Sequence, residues 1–291
     1  MINYKYYRYF SLIIAFCVFI FLIQHILFNS STEGFLQEEK IEVMVTILPL
    51  AYFVEQIGKD KVIVNVMIPP GANPHIFEPL PSQLKEVSQA QLYVKIGSGL
   101  DFELAWMEKI KDINKNMLIC DSSQGIELIN RDPHIWLSLK NAKIIAQNIF
   151  KSLIQVDPLN QEYFEKNKIE FLNCVITLDE EIKEKFSRIK NNRFISYHSS
   201  WSYLAKDYNL VQIVIEDEGK EPGVASLIDI IKQARAHNIS IITVSPQFNF
   251  RSAKVIAQEI GAQIIINDPL SQDYLRNLQE FANQLVDGVS K

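Results

Sequence analysis

The same order of elements is written twice in this chain, and that repetition constrains its fold more than any other feature. "IEVMVTI" (Ile41–Ile47), "VIVNVMI" (Val62–Ile68), "QLYVKIG" (Gln91–Gly97) and "NMLIC" (Asn116–Cys120) read as strands, short and rich in β-branched residues. Amphipathic helical patterns lie between them at Leu50–Gly58, Pro81–Ala90 and Asp101–Ile113, the last carrying Leu104, Trp106 and Ile110. At Arg193 the order begins again. "RFISY", "LVQIVI", "ISIITV" and "AQIII" are strands, separated by helices over Ser199–Asn209, Val224–His237 and Phe250–Gly261. Each half runs strand, helix, strand, loop, helix, strand, helix, strand. Such alternation favours parallel strands joined by right-handed crossovers.

One long helical stretch, Asp157–Ile189, joins the halves. Asp157 suits an N-cap and Pro158 the first helical position. Tyr163, Phe164, Ile169, Leu172, Ile176 and Leu178 form its expected core-facing stripe. At about 1.5 Å per residue, such a helix spans the height of two lobes and links them stiffly. The expected fold is therefore α/β: two lobes, each a small four-stranded, mainly parallel sheet flanked by helices, bridged by one long rigid helix. The expected divisions are residues 1–34 (signal or membrane anchor), 35–156 (first lobe), 157–190 (connecting helix) and 191–291 (second lobe).

With 291 residues, 48% of them apolar, the chain is long enough for two such lobes and a sizeable core. The net charge of −5 and the lack of any basic run exclude nucleic acid as a natural partner. The N-terminus differs from the rest. Lys5 and Arg8 precede the apolar run Phe10–Phe28, a charged region followed by a hydrophobic one that indicates export. Phe16 disfavours lipid attachment at Cys17, and no small-residue cleavage site follows; the expectation is an extracytoplasmic main body, held by an uncleaved anchor or released from a cleaved signal, with the anchor as the reading to test. Cys120 and Cys174 lie on elements that give no reason for a disulfide, and without a C-x-x-C there is no thiolate metal site.

"MIPPGANPHIFEPLPSQ" (Met67–Gln83) holds five prolines around a single histidine, His75. This loop is neither helix nor central strand, and it presents an imidazole from a stiff backbone. His75 follows the second strand of the first half and His134, in "RDPHIWLS", follows the fourth. His198 follows the first strand of the second half and Asp268, in "IIINDPLS", follows its fourth. All four lie beyond strand carboxyl ends, where open α/β sheets bind ligands. Imidazole and carboxylate are the usual ligands of divalent first-row metals. His237, at a helix end before a strand, falls on the opposite rim and serves as an internal control. Asp132 is placed either as a helix N-cap or as an acceptor for the His134 ring.

"MIPPGANPHIFEP", "DPHIW", "YHSSWSYLAKDYNL" and "NDPLS" together resemble the zinc- and manganese-binding solute-binding proteins of ABC importers, as do "VTILPLAYFVEQIG" and "ITVSPQFNFRSAKVIAQEIGA". The resemblance covers nearly everything from Ile41 onward. It implies two lobes bridged by one long helix, with one metal ion between them. By motif it implies His75, His134 and His198 as imidazole ligands and Asp268 as the carboxylate. Two departures from the family pattern stand out. No His-rich loop precedes His134, and His198 stands where manganese-preferring members often have glutamate; the latter leans toward Zn²⁺ over Mn²⁺.

The resulting expectation is extracytoplasmic capture of one Zn²⁺ (alternatively Mn²⁺) by a monomer and its delivery to an ABC permease in the cytoplasmic membrane. A metal-dependent hydrolase would need an open coordination position and a nearby base. No H-E-x-x-H is present, and Glu78 reads equally as loop structure. An adhesin on the same fold is the third class.

Overall fold

A computed structural model describes residues 18–24, 39–130, 132–216 and 220–289. The chain divides into two units, Met1–Glu39 and Lys40–Lys291. In the first unit, residues 18–24 are helical; the rest of the expected span Phe10–Phe28 lies outside the described residues. No described helix is long and apolar enough to cross a membrane.

The second unit opens with β1 (Ile41–Val45), α1 (Leu48–Gly58), β2 (Val62–Val66), α2 (Pro81–Val87), β3 (Leu92–Lys95), α3 (Asp101–Ile113) and β4 (Leu118–Asp121). Two helices follow, α4 (Leu139–Val156) and α5 (Gln161–Ser187). The second lobe comprises β5 (Arg193–Ser196), α6 (Ser202–Asp207), β6 (Val211–Val214), α7 (Val224–Ala236), β7 (Ile241–Val244), α8 (Arg251–Ile260), β8 (Gln263–Ile266) and α9 (Tyr274–Val289). Both sheets are wholly parallel, ordered β2-β1-β3-β4 and β6-β5-β7-β8. Inner strands covered on both faces read as continuous apolar runs. That is why "IITV" of β7 is buried at every position.

Four expectations need correction. Helices α4 and α9 were not foreseen. The long helix begins one turn late, because Pro158–Asn160 form a 3₁₀ turn capped by Asp157, which accepts from Asn160 N. Its buried stripe is Phe164, Phe171, Val175, Leu178, Ile182 and Phe186, whereas Ile169 and Ile176 are exposed. The stripe advances in steps of three, four or seven residues, and Ile169 and Ile176 fall between those steps. Leu104 of α3 likewise faces solvent, while Phe102, Met107 and Ile110 pack inward.

One apolar cluster runs from β1 and α1 through α5 into Phe194, Trp201, Tyr274 and Phe281 of the second lobe. Phe171 of α5 meets Phe53 edge-on at 5.1 Å, and Tyr274 lies 4.9 Å from the same ring. Truncating Phe171 to Ala in this dense junction costs about 3–5 kcal/mol. The second lobe also has its own smaller cluster, built from β5, β7, α7 and α8 around Ile195, Ile230, Ile242 and Ile256.

Candidate metal centre

Two of the histidines are set by the same three-residue turn. In Asn73-Pro74-His75 the Asn73 Oδ1 accepts the His75 backbone N–H at 3.0 Å. In Asp132-Pro133-His134 the Asp132 Oδ1 accepts the His134 N–H at 2.9 Å. An Asx side chain that bonds two residues on imitates a backbone turn, and the proline between them fixes φ. Each turn therefore throws its histidine out at a defined angle. Ser98 Oγ donates to Pro133 O at 2.6 Å, tying the loop after β3 to the His134 turn. His198 needs no such turn: it lies two residues beyond β5, and its carbonyl accepts from Gln212 Nε2.

The three imidazoles converge. One ring nitrogen from each of His75, His134 and His198 lies within 4.8 Å of the others. His198 Nε2 is 3.3 Å from His75 Nε2 and 3.3 Å from His134 Nε2. Every Nδ1 faces a carboxylate. His75 Nδ1 meets Asp101 Oδ2 at 2.7 Å, His134 Nδ1 meets Asp132 Oδ1 at 2.7 Å, and His198 Nδ1 meets Glu216 Oε1. A carboxylate accepts the Nδ1 proton, so the Nε2 lone pairs of all three rings point at one spot. Such lone pairs repel at this distance unless a cation lies among them. Zinc–nitrogen bonds of about 2.05 Å in a tetrahedron put neighbouring nitrogens about 3.3 Å apart. The spacing fits that donor set.

Charge and burial agree with this. His134 and His198 are buried, as is the Glu216 carboxylate, with 5% of its side chain exposed. Asp132 Oδ2 and Glu216 Oε2 are buried without a hydrogen-bond partner among the described residues. Buried carboxylates of this kind need a compensating positive charge nearby. Burial, partly offset by Asp132, holds the His134 imidazole below its usual pKa, so it is neutral and ready to ligate at pH 7. Phe248 packs on His198 at 4.6 Å and Trp136 on His134 at 5.1 Å, which keeps the rings oriented and dry. A cavity of about 20 Å³ lies against all three histidines, bordered by Gln247, Phe248 and Leu270. That is room for about one water or one ion. An open cleft of about 650 Å³ reaches the same rings from the side of Asn73, Asp101 and Glu216.

Asp268 is not in this group. Its Oδ1 accepts the Leu270 N–H at 2.8 Å and Gln247 Nε2 at 2.6 Å. Asp268-Pro269-Leu270 is thus a third Asx-Pro-X turn, with leucine where the others carry histidine. His237 caps the far end of α7, exposed and away from the cluster. Of the three partner carboxylates, Asp132 was legible as one of two readings. Asp101 and Glu216 were missed: they lie 26 and 18 residues from the rings they hold. Glu103 was missed too. Buried, it accepts from Thr46 Oγ1, Ile96 N and Gly97 N and so pins the base of the loop that carries Asp101.

The chain is similar to known proteins in sequence and in fold. The family described as "Zinc-uptake complex component A periplasmic" matches residues 43–288. A Bacillus subtilis protein named high-affinity zinc uptake system protein ZnuA is 30% identical over 258 residues, 81% of each chain. A Streptococcus anginosus protein named manganese ABC transporter substrate-binding lipoprotein PsaA is 28% identical over 284 residues, 87% of this chain and 90% of its own. A crystal structure of ZnuA superposes with a TM-score of 0.83 at 40% identity, covering 86% of this chain and 99% of that one. These relatives are substrate-binding proteins, not enzymes. With two parallel four-stranded lobes, a bridging helix and a three-imidazole centre already in view, the chain belongs to the ZnuA-type family of metal-binding, substrate-binding proteins of ABC transporters.

Proposed function

We propose that this protein captures one Zn²⁺ outside the cytoplasmic membrane with His75, His134 and His198 and delivers it to an ABC permease. The observation that carries the reading is the convergence of three Nε2 atoms, 3.3 Å apart in two pairs, each ring backed by a carboxylate. A nitrogen-rich site of low coordination favours zinc; manganese prefers oxygen donors and more of them. The first lobe supplies two imidazoles and the second lobe one, so an ion bridges the lobes, and a small tilt that withdraws one lobe's imidazoles releases it. Pro74 and Pro133 pre-set the loops, which limits the entropy lost on binding.

The permease is the expected macromolecular partner, and a monomer suffices for the site. Several relatives are named lipoproteins, whereas Phe16 before Cys17 favours a helical anchor in this chain. The intact mass of the native protein decides between an unmodified start near Met1 and a lipid on Cys17. The functional test is metal analysis of protein purified without chelator, followed by zinc and manganese titration. Zinc at one equivalent, with weaker manganese, supports the reading; manganese bound in preference to zinc refutes it.

A further inference from the structure

We infer that Tyr203 and Asp207 are positioning residues for the metal centre: from the second lobe they hold the first-lobe segment that carries His134, so zinc release parts His75 from a fixed His134–His198 pair. This assignment rests on the zinc-capture reading above and names the imidazole that yields. The Tyr203 hydroxyl, on α6, accepts the Ile129 N–H at 3.0 Å and donates to Asp132 O at 3.2 Å. Those two groups flank the turn in which the Asp132 N–H bonds Ile129 O at 2.9 Å. One phenol from the second lobe thus closes the turn that leads into Asp132-Pro133-His134. At the other end of α6, the Asp207 carboxylate accepts from Ser138 Oγ, at the N-cap of α4, and pairs with Lys140 at 3.1 Å. Tyr203 is buried and the Asp207 side chain is 11% exposed, so water is a poor substitute for either partner. Trp136 Nε1 donates to Pro269 O, and Tyr274 Oη donates to Trp136 O. The stretch from Ile129 to Lys140 is therefore first-lobe chain held by second-lobe groups. The bond from Ser98 Oγ to Pro133 O pulls the other way, toward β3, and is outnumbered by these.

The His75 loop is held differently. Among the described residues, no hydrogen bond joins it to the second lobe apart from the facing ring nitrogens of His75 and His198. The His75 side chain is 23% exposed and that of His134 5%. Asp101, the carboxylate behind His75, is exposed, and so is Ile76 beside it. A small tilt is taken up where the bonds across the joint are fewest and most open to water. The line of parting accordingly runs between His75 and His134, inside the first lobe, and not along the boundary between the two sheets.

The test uses the full chain with zinc and a chelator alone. Hydrogen exchange is compared with and without zinc over residues 71–78 and 132–137. In the parent, removing zinc should speed exchange over 71–78 by more than about tenfold and over 132–137 by less than about threefold, the contrast between a locally opening loop and a held segment. Equal acceleration of both segments shows that His134 leaves with His75 and overturns the inference. Tyr203→Phe removes only the hydroxyl, and Asp207→Ala removes the acceptor at the far end of α6. In each variant zinc removal should also speed exchange over 132–137, and zinc should dissociate into excess chelator about five- to tenfold faster, the scale of one or two lost hydrogen bonds. Tyr208→Phe is the control. It removes a comparable bond, from Tyr208 Oη to Asp179 Oδ1 at 2.8 Å, which ties the second lobe to α5 but not to the His134 segment. It should lower stability to a similar degree and leave the dissociation rate within about twofold. Unchanged dissociation and exchange in both Tyr203→Phe and Asp207→Ala, or the same acceleration in Tyr208→Phe, reduces the two residues to ordinary packing and overturns the inference. Exchange that zinc alters in neither segment overturns the zinc reading itself, and the assignment of Tyr203 and Asp207 with it.

Discussion

In the first lobe the loops after β2, β3 and β4 bring His75, Asp101, Asp132 and His134 to the rim; in the second, all four strands contribute one residue each, namely His198, Glu216, Gln247 and Asp268. Strand order is the same in both sheets, so topology alone does not explain the unequal division of imidazoles. The turns do. The Asx-Pro-X turn occurs at residues 73–75, 132–134 and 268–270, and its last residue is histidine twice in the first lobe and leucine in the second. The lobes also differ in support. The first shares the large core with α5, while much of the second rests on a separate, smaller cluster. Identical frames thus carry a half with two imidazoles and a half with one imidazole and one hydrogen-bonded carboxylate.

The largest expected effect tests whether both halves belong to one site. His75→Ala, His134→Ala and His198→Ala should each lower zinc affinity by more than about 100-fold, beyond the usual loss on changing a ligand's partner. His237→Ala should leave affinity within about twofold, since it removes no ligand from the cluster. Retained binding in His198→Ala alone would assign the metal to the first lobe only and break the comparison.

The partner carboxylates come next. Asp132→Asn and Glu216→Gln should cost about 10–100-fold in zinc affinity. Asp101→Asn should cost less, because the Asp101 side chain is 60% exposed and that of Glu216 only 5%. Solvent screens the exposed pair and can replace its hydrogen bond. Equal losses in all three variants would show that exposure does not grade these contacts.

How far the sequence shows all this depends on chain distance. The strands of the two sheets are four or five residues long, built around β-branched and aromatic residues, and each declares itself locally. His75, His134 and His198 follow from strand ends, and Asp132 from its place two residues before His134. Asp101 and Glu216 act through contacts that exist only once distant loops meet, so no local pattern announces them. Helices α4 and α9 were hidden for another reason: the repeated order leaves no slot for either. Both pack on α5, so the tie between the lobes is broader than a single helix.

That tie includes hydrogen bonds across the lobes. Tyr274 Oη donates to Trp136 O at 2.6 Å, and Trp136 Nε1 donates to Pro269 O at 2.8 Å. The first joins the His134 segment of the first lobe to the start of α9, and the second joins it to the turn at Asp268. Tyr274→Phe keeps the ring in its aromatic cluster and removes one buried hydrogen bond. It should lower stability by about 1 kcal/mol, or more if the Trp136 carbonyl stays unpaired. Urea unfolding of zinc-free protein measures this, and no loss would mean that the bond does not join the lobes energetically.

A smaller effect concerns pH. Burial lowers the His134 pKa in the folded protein, so near and below about pH 6.5 the unfolded chain binds a proton that the folded chain refuses. Stability contributed by this group is complete above that pH. It declines as pH falls, and the decline ends once the lowered folded value is passed. Melting temperatures of zinc-free protein at pH 7.5 and 5.5 should therefore differ more in the parent than in His134→Gln. An equal or larger difference in the variant would place the acid sensitivity elsewhere.

The smallest expected effect is in shape. If the lobes were joined by one flexible strap, zinc would close them like a hinge. The structure joins them by α5, a helix of 27 residues or about 40 Å, and by a core that continues from Phe53 through Phe171 to Tyr274. Bending that junction would open gaps in a close-packed interior, which costs far more than a small tilt. Ile63 in β2 and Val211 at the start of β6 occupy corresponding edge strands, and both are exposed. Spin labels on Ile63→Cys and Val211→Cys, in a Cys17→Ser, Cys174→Ser background, report the separation of those edges. Zinc should change it by no more than about 2 Å, the scale of shifts between packed helices. A change several times larger would show that the shared core yields, and that the second lobe, with its own smaller cluster, swings as a body about α5.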